Sequence, residues 1–238
     1  MEKNALFFGE LLFGDQVNWF NFKKNFLLGI KSCFYQILLY LLQMKNLKSY
    51  LHYLKTGIEK LDLIKLQKIE NIIFKKIREN KKIFVCGNGG SASVANHFLC
   101  DFNKGIKLSS KNKLKPKIVS LSDNMETILA VANDISFNKV FSFQLDNYYS
   151  QGDIVILLSC SGSSPNIMDT LEFCKKRKIF TISITGFAKK NIQKKANLNL
   201  NLEIKNYGVS EDFFQIIMHM LSQSIRLKFI KNKNNIIL

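Results

Sequence analysis

The spacing of the apolar residues follows one pattern in the helical arm and another in the rest of the chain. Between Leu47 and Ile77 apolar residues recur every three or four positions, which predicts a helical arm with a possible break at Gly57. After this arm, short apolar runs alternate with segments of helical period. The runs predict strands at residues 82–86, 117–121, 153–158, 179–185 and 198–204, and the other segments predict helices at residues 125–132, 138–149, 167–176 and 209–229. This alternation predicts a doubly wound α/β fold with a parallel sheet between helices.

A glycine turn follows the first predicted strand. Its sequence, GNGGSA, begins at Gly87 and continues directly into a segment of helical period. Glycines let the backbone approach a ligand closely, and the free N–H groups of a helix N-terminus favour an anion. The turn therefore indicates a phosphate site. On the helix that follows, His97 and Asp101 are four residues apart and share one face, which suits a metal site or an acid–base pair.

A serine-rich loop follows the third predicted strand. Its sequence, SCSGSSPN, begins at Ser159 and places Pro165 at the first position of a helix, with Ser164 as the cap. Serine hydroxyls and helix N–H groups together supply several hydrogen bonds to phosphate oxygens. Because the loop comes directly after a buried strand, at the carboxyl edge of a parallel sheet, a ligand loop is favoured over an ordinary turn.

Three other polar positions are ambiguous from the sequence alone. Asp123 stands just before a predicted helix, where a helix cap is the simplest interpretation. Glu211 and His219 are eight residues apart on the last helix, so they lie only loosely on one side of it. A lone histidine on such an apolar helix is most often a core residue with one hydrogen bond.

The first 43 residues differ in character from the rest. Residues 26–42 are mostly apolar, but they lack both the length of a clean spanning helix and the features of a signal peptide. Three interpretations remain: a translated stretch upstream of a natural start at Met44, a helix packed on the main domain or a partner, and a peripheral membrane anchor. The first is favoured and the membrane least. We therefore expect an apolar extension over residues 1–43 and one domain, including the arm, over residues 44–238.

The composition indicates which classes of partner and which cellular location to expect. The formal net charge is +17, but only three of the 35 basic residues are arginines, and the lysines are scattered through the chain. This pattern favours solvated surface lysines over a nucleic-acid groove, so no nucleic-acid partner is expected. The five cysteines form no C-x-x-C pair and no even framework, which makes a reducing cytoplasm the simplest location.

Taken together, the glycine turn, the H-x-x-x-acid helix, the S-x-S-G-x-S-P-N loop and the E-x(7)-H last helix resemble the SIS (sugar isomerase) domain family. Within that family the chain is most similar to the phosphoheptose isomerases, and the resemblance covers about residues 44–226. It implies a flavodoxin-like five-stranded sheet and a homotetramer with active sites at subunit interfaces. It also implies conversion of sedoheptulose 7-phosphate to D-glycero-D-manno-heptose 7-phosphate, for surface polysaccharide synthesis.

The resemblance further implies roles for individual residues. The phosphate would be held by Ser91 together with four residues of the serine loop, Ser159, Cys160, Ser161 and Ser164. Three residues near the glycine turn and the second strand complete the substrate site, Asn88, Gly89 and Asp123. A zinc ion would be held by His97, Asp101, Glu211 and His219. Of these four, Asp101 and His219 would carry the acid–base chemistry.

Four positions depart from the family pattern. Asp101 stands where the isomerases usually have Glu, Glu211 where the heptose enzymes commonly have Gln, and Cys160 where Thr is common. The glycine pair that commonly follows the fourth strand is replaced by residues 186–189, GFAK. The change from Glu to Asp101 and the positive charge support an alternative, a non-catalytic SIS module that binds a phosphosugar signal or a protein such as the replication initiator. Retention of His97 and His219 supports the enzyme.

Overall fold

The computed structural model describes residues 47–187 and 190–230. The chain divides into two units, Met1–His52 and Tyr53–Leu238. Of the first unit, residues 47–52 are described, and they are helical. The extension predicted over residues 1–43 lies outside the described residues.

The second unit is organised around one sheet whose five strands are all parallel, as predicted. The strands are β1 (Lys82–Cys86), β2 (Lys117–Ser120), β3 (Ile154–Ser159), β4 (Phe180–Thr185) and β5 (Leu198–Asn201). Their order in the sheet is β2-β1-β3-β4-β5, which is the flavodoxin-like order. The chain therefore changes direction between β1 and β3, and the carboxyl ends of these two strands flank the crevice where ligands bind in such folds.

Helices cover both faces of this sheet. They are α1 (residues 47–59, of which 53–59 belong to this unit), α2 (Leu63–Arg78), α3 (Gly90–Cys100), α4 (Met125–Asp134), α5 (Ser142–Tyr148), α6 (Pro165–Lys176), α7 (Lys190–Lys195) and α8 (Tyr207–Leu227). The prediction of a single helix over residues 138–149 is wrong in detail, because a 3₁₀ turn at Phe137–Lys139 precedes α5. Val140 and Phe141, between the two, are both buried, so the bend lets two successive side chains enter the core. No helix among residues 47–187 and 190–230 is long and apolar enough to cross a membrane.

The helical arm breaks at a different place from the one predicted. Gly57 stays helical, and the break falls just before Asp62, whose side chain accepts a hydrogen bond of 2.9 Å from the Lys65 N–H and so caps α2. Gly57 has another role. A Cβ at this position would collide with the ring of Phe213, so the glycine allows α1 to pack closely against α8.

Helix α3 does not end as a regular helix. It continues as a π-helical segment, Asp101–Ile106, and a last short turn, Lys107–Ser109. The segment is anchored by Phe102, which is fully buried and packs against Phe98 of α3 with ring centroids 4.0 Å apart. A π-helical turn inserts an extra residue and so re-aims the side chains around it. Both α3 and the π-helical segment pack against α8.

Candidate active site

The loops after β1 and β3 meet at the carboxyl edge of the sheet, over the point where the chain changes direction. Together with the start of α8 they line a cavity of about 250 Å³. Seven of the eight predicted substrate-binding residues line it: Asn88, Gly89, Ser91, Ser159, Cys160, Ser161 and Ser164. We call this the phosphate cavity, because its hydroxyl groups and its place between two helix N-termini suit an anion.

Local turns give the serine loop its shape. Gly162 has a φ of 61°, a conformation that favours glycine, and its N–H donates a hydrogen bond of 3.1 Å to the Ser159 hydroxyl oxygen. Ser164 precedes α6, and Pro165 occupies the first turn of that helix. Across the cavity, Ser91 is the second residue of α3 and is buried. The loop therefore carries its serines toward the start of α3.

An amide pair that was not predicted joins the two loops. The side chains of Asn88 and Asn166 exchange hydrogen bonds of 2.9 and 2.8 Å, and Asn166 is fully buried. The pair fixes the glycine turn to the first turn of α6. No spacing in the sequence indicates it, because the two residues are 78 positions apart and meet only through the sheet.

Asp123 is the predicted substrate-binding residue that does not line the phosphate cavity. It is exposed, and it is not the cap of α4 either. That role belongs to Asn124, whose Oδ1 accepts a hydrogen bond of 2.7 Å from the Thr127 N–H.

Two of the residues that line the phosphate cavity, Glu211 and Cys160, affect its charge. The Glu211 carboxylate, from α8, lies directly against Gly90, where any Cβ would collide with it. Its Oε1 is 4.0 Å from the Cys160 Sγ. Burial and then the charge of Glu211 raise the pKa of the Cys160 thiol to about 11. Cys160 is therefore a neutral thiol at neutral pH and adds no negative charge to the cavity.

Farther along α3 and α8, three side chains form a second centre, which we call the His–Asp cluster. His97 Nε2 and His219 Nε2 are 3.1 Å apart, and Asp101 Oδ2 is 3.4 Å from each of them. The histidines come from α3 and α8, and Asp101 opens the π-helical segment. The packing of α3 on α8 therefore brings together three of the four predicted metal ligands.

Glu211, the predicted fourth ligand, is not in this cluster. Eight residues of helix separate it from His219, a rise of about 12 Å and a net rotation of about 80°. Its carboxylate faces the phosphate cavity instead. Gln215 occupies the intervening turn, and its Nε2 is 2.9 Å from His219 Nε2. The four-residue spacing of Gln215 and His219 is the signal in the sequence that could have indicated this contact.

The cluster fits the requirements of a catalytic zinc site. Zinc takes imidazole nitrogen and carboxylate oxygen at about 2.0–2.2 Å, so tetrahedral ligand atoms stand about 3.4 Å from one another. The three separations in the cluster, 3.1, 3.4 and 3.4 Å, match that spacing. Two histidines and one carboxylate are also the donor set of catalytic zinc sites, which keep a fourth position for water or substrate.

The two centres are lined by residues of the same two helices. Six residues of α3 separate Ser91, in the phosphate cavity, from His97, in the cluster, which corresponds to a rise of about 9 Å. On α8, Tyr207 and Glu211 line the phosphate cavity and His219 follows two turns later. The same two helices thus connect the phosphate cavity to the His–Asp cluster.

Comparisons with known proteins identify the family of this chain. The profile of the SIS domain family matches residues 48–186, so it includes both loops but ends before α8. A probable phosphoheptose isomerase of Thermoplasma acidophilum is 30% identical over 71% of this chain and 91% of its own length. The phosphoheptose isomerase of Helicobacter hepaticus is 27% identical over 71% of this chain and 85% of its own length.

The fold has close counterparts among solved structures. The phosphoheptose isomerase of Neisseria gonorrhoeae superimposes with a TM-score of 0.68 at 23% identity, covering 77% of this chain and 98% of that protein. The corresponding protein of Francisella tularensis gives a TM-score of 0.69 at 22% identity, covering 77% and 95%. The family profile matches more than half of the chain and the similar curated proteins are phosphoheptose isomerases, so the chain belongs to the SIS domain family, on its phosphoheptose isomerase branch.

Proposed function

We propose that this chain is a phosphosugar isomerase that interconverts sedoheptulose 7-phosphate and D-glycero-D-manno-heptose 7-phosphate. The observation that carries the proposal is the pairing of the phosphate cavity with the His–Asp cluster along α3 and α8. The names of the similar proteins supply the substrate, and the geometry supplies the reason why a sugar of this length fits.

The spacing of the two centres suits a long sugar phosphate. An extended chain of carbon–carbon bonds of about 1.5 Å advances about 1.25 Å per bond. Five such bonds and the phosphoester linkage place the carbonyl of a 7-phosphoketose about 9 Å from its phosphorus. The rise along α3 from Ser91 to His97 is about 9 Å, and the rise along α8 from Glu211 to His219 is about 12 Å, so the two centres are separated along the helices by a distance of the same order. A phosphate held by the serine loop therefore leaves the reacting carbons near the cluster.

The reaction needs a base and a group that stabilises the developing oxyanion. A carboxylate or imidazole removes a proton from C1 of the ketose, and the resulting enediol takes a proton at C2, while a proton moves from the C1 oxygen to the C2 oxygen. Asp101 and His219 lie side by side, with Oδ2 3.4 Å from Nε2. Each has a second titratable atom, Asp101 Oδ1 and His219 Nδ1, so one residue can take the carbon proton while the other holds the proton that moves between the oxygens, even with a metal at Oδ2 and Nε2. Gln215 contacts His219 Nε2 and orients its ring.

The proposal includes one zinc ion per site, held by His97, Asp101 and His219. Zinc bound there would polarise the substrate carbonyl. The support for zinc is the donor set and the separations within the cluster. Asp101 is one methylene shorter than the Glu that is usual in this family, and its position at the start of the π-helical segment still brings Oδ2 to both imidazoles.

The biological setting is also part of the proposal. We infer a cytoplasmic homotetramer with interfacial active sites that supplies heptose for surface polysaccharides. Apolar side chains on α1 and α2 support burial against another subunit, because Ile58, Leu63 and Ile64 are 60, 61 and 72% exposed in one chain. A phosphorylated, highly polar substrate is consistent with a cytoplasmic enzyme.

One experiment tests the activity directly. Purified protein is incubated with sedoheptulose 7-phosphate, as isolated and after treatment with a chelator, and the aldose product is quantified. We expect product from the untreated protein, loss of product after chelation and recovery with zinc. Binding of the sugar phosphate without any product, in protein that contains zinc, would contradict the isomerase and support the alternative of a non-catalytic phosphosugar-binding module.

A further inference from the structure

A second cavity adjoins the His–Asp cluster on the side away from the phosphate cavity. It has a volume of about 340 Å³. One wall is formed by the π-helical segment and short turn that continue α3, and the other wall is formed by α8. The residues that line the first wall lie three, four and seven positions after Asp101. Those that line the second wall lie three, four and seven positions after His219. The residues beyond the cluster are Lys104, Gly105 and Leu108 on one wall and Ser222, Gln223 and Arg226 on the other. We call this cavity the basic groove.

The Arg226 side chain is held in a fixed position in this groove. Its Nε–H donates a hydrogen bond of 3.1 Å to the Ser109 hydroxyl oxygen. Gly105 is buried beside it, and a Cβ at Gly105 would lie 3.3 Å from Arg226 Cδ and 3.5 Å from Nε. Glycine at this point of the π-helical segment thus leaves room for the arginine stem. The four remaining guanidinium N–H groups stay available at the end of the side chain.

Neither basic residue of the groove forms an ion pair within the described part of the chain, although the Asp101 carboxylate lines the same groove. Arg226 forms its hydrogen bond to a neutral serine, and neither it nor Lys104 forms an ion pair with a described carboxylate. The exposed arginine Arg177, by contrast, pairs with Asp146 at 3.1 Å. A preorganised guanidinium beside a second cation in a concave site is suited to bidentate recognition of an oxyanion.

The geometry points to a second anion site in the basic groove, where Arg226 and Lys104 bind an oxyanion of the size of phosphate. This site is distinct from the phosphate cavity. On α3 and α8 the cavity is lined by residues that precede His97 and His219, whereas the groove is lined by Asp101 and His219 themselves and by residues that follow them, so the cluster lies between the two. One chain would therefore bind two phosphate ions independently.

The test measures binding of inorganic phosphate by calorimetry to the full chain, both zinc-loaded and chelator-treated. We expect two phosphate ions per chain in the wild type. Ser161→Ala should weaken only the binding in the phosphate cavity. Arg226→Gln and Lys104→Gln should each raise the dissociation constant of the other ion about tenfold or more, in both metal states, because a charge-assisted hydrogen bond is lost.

Matched controls separate this effect from loss of net charge. Arg177→Gln and Lys107→Gln make the same changes at exposed positions outside the groove and should leave both phosphate ions bound. Should Arg226→Gln fail to fold, Lys104→Gln, at an exposed side chain, still decides the question. The second site would be overturned if the wild type bound one phosphate per chain and Ser161→Ala removed it. It would also be overturned if the wild type bound two phosphate ions and neither groove variant weakened the binding of either. No readout depends on turnover, so an inactive protein would leave this test intact.

Discussion

His97 and His219 stand 122 positions apart in the sequence, yet their Nε2 atoms are 3.1 Å apart across the contact between α3 and α8. Their rings meet edge to face, with centroids 5.0 Å apart and an interplanar angle of 71°. Asp101 Oδ2 is 3.4 Å from both nitrogens. Two imidazoles and one carboxylate converge on one point, so the function of each depends on the other two.

Replacing either member of the proposed acid–base pair should abolish turnover but not folding. We expect His219→Ala and Asp101→Ala to lower kcat for sedoheptulose 7-phosphate at least about a hundredfold, since positioned acid–base groups contribute about 10²–10⁴. Steady-state kinetics measure the loss, and thermal unfolding verifies the fold. His52→Ala and Asp134→Ala change exposed residues of the same types and should retain activity. Near-normal activity in either cluster variant would remove that residue from the mechanism.

Removal of His97 should act first on the metal. We expect His97→Ala to reduce bound zinc, measured by elemental analysis after dialysis, from about one ion per chain to a small fraction, because a three-ligand site loses one of its donors. Activity should fall in parallel and recover in part at high zinc concentration. His52→Ala is again the matched control. Full zinc occupancy in His97→Ala would show that the ion binds elsewhere.

Glu211 should weaken phosphate binding in the metal-free protein. Its carboxylate lies in the phosphate cavity, so a bound sugar phosphate faces a like charge, which is unfavourable in a partly buried site. We expect Glu211→Gln to lower the dissociation constant of sedoheptulose 7-phosphate about tenfold. The measurement is made by calorimetry on chelator-treated protein in the His219→Ala background, where turnover is blocked. Exposed Asp212 offers the control Asp212→Asn on the same turn of α8. Unchanged or weaker binding in Glu211→Gln would contradict the repulsion.

The buried thiol of Cys160 should make stability depend on pH in the alkaline range. Its pKa is raised from an ordinary value of 9.0 to about 11 in the folded chain. Between these values the folded state holds a proton that the unfolded state has lost, so the contribution to stability is complete below about pH 9 and disappears as pH rises through 11. We expect the free energy of unfolding to fall less steeply in Cys160→Thr than in the wild type across this range.

Urea unfolding at pH 8, 9, 10 and 11 would measure this difference. Comparing the two proteins at each pH cancels the titration of the many lysines that they share. Cys100→Ser, at an exposed cysteine, is the matched control. Parallel stability curves for the wild type and Cys160→Thr would contradict the prediction.

The sequence by itself determined the order of the elements and the loops that line the phosphate cavity. Hydrophobic period is a local property, so the five strands and most helices follow from it within one or two residues at their ends, except that β5 ends three residues before its predicted end. The meeting of the glycine turn and the serine loop at one cavity was predictable for the same reason. Each comes directly after a strand, and parallel strands bring their carboxyl ends to one edge.

Tertiary structure decided which side chains share a site. The eight-residue spacing of Glu211 and His219 predicted that they lie loosely on one side of the last helix. In the structure, the packing of α8 on α3 directs the Glu211 carboxylate to the phosphate cavity, so the cluster consists of His97, Asp101 and His219. The Asn88–Asn166 pair and the basic groove depend in the same way on contacts between segments far apart in the chain. Helical period fixes which residues share a face, whereas the packing of one helix on another fixes what that face meets.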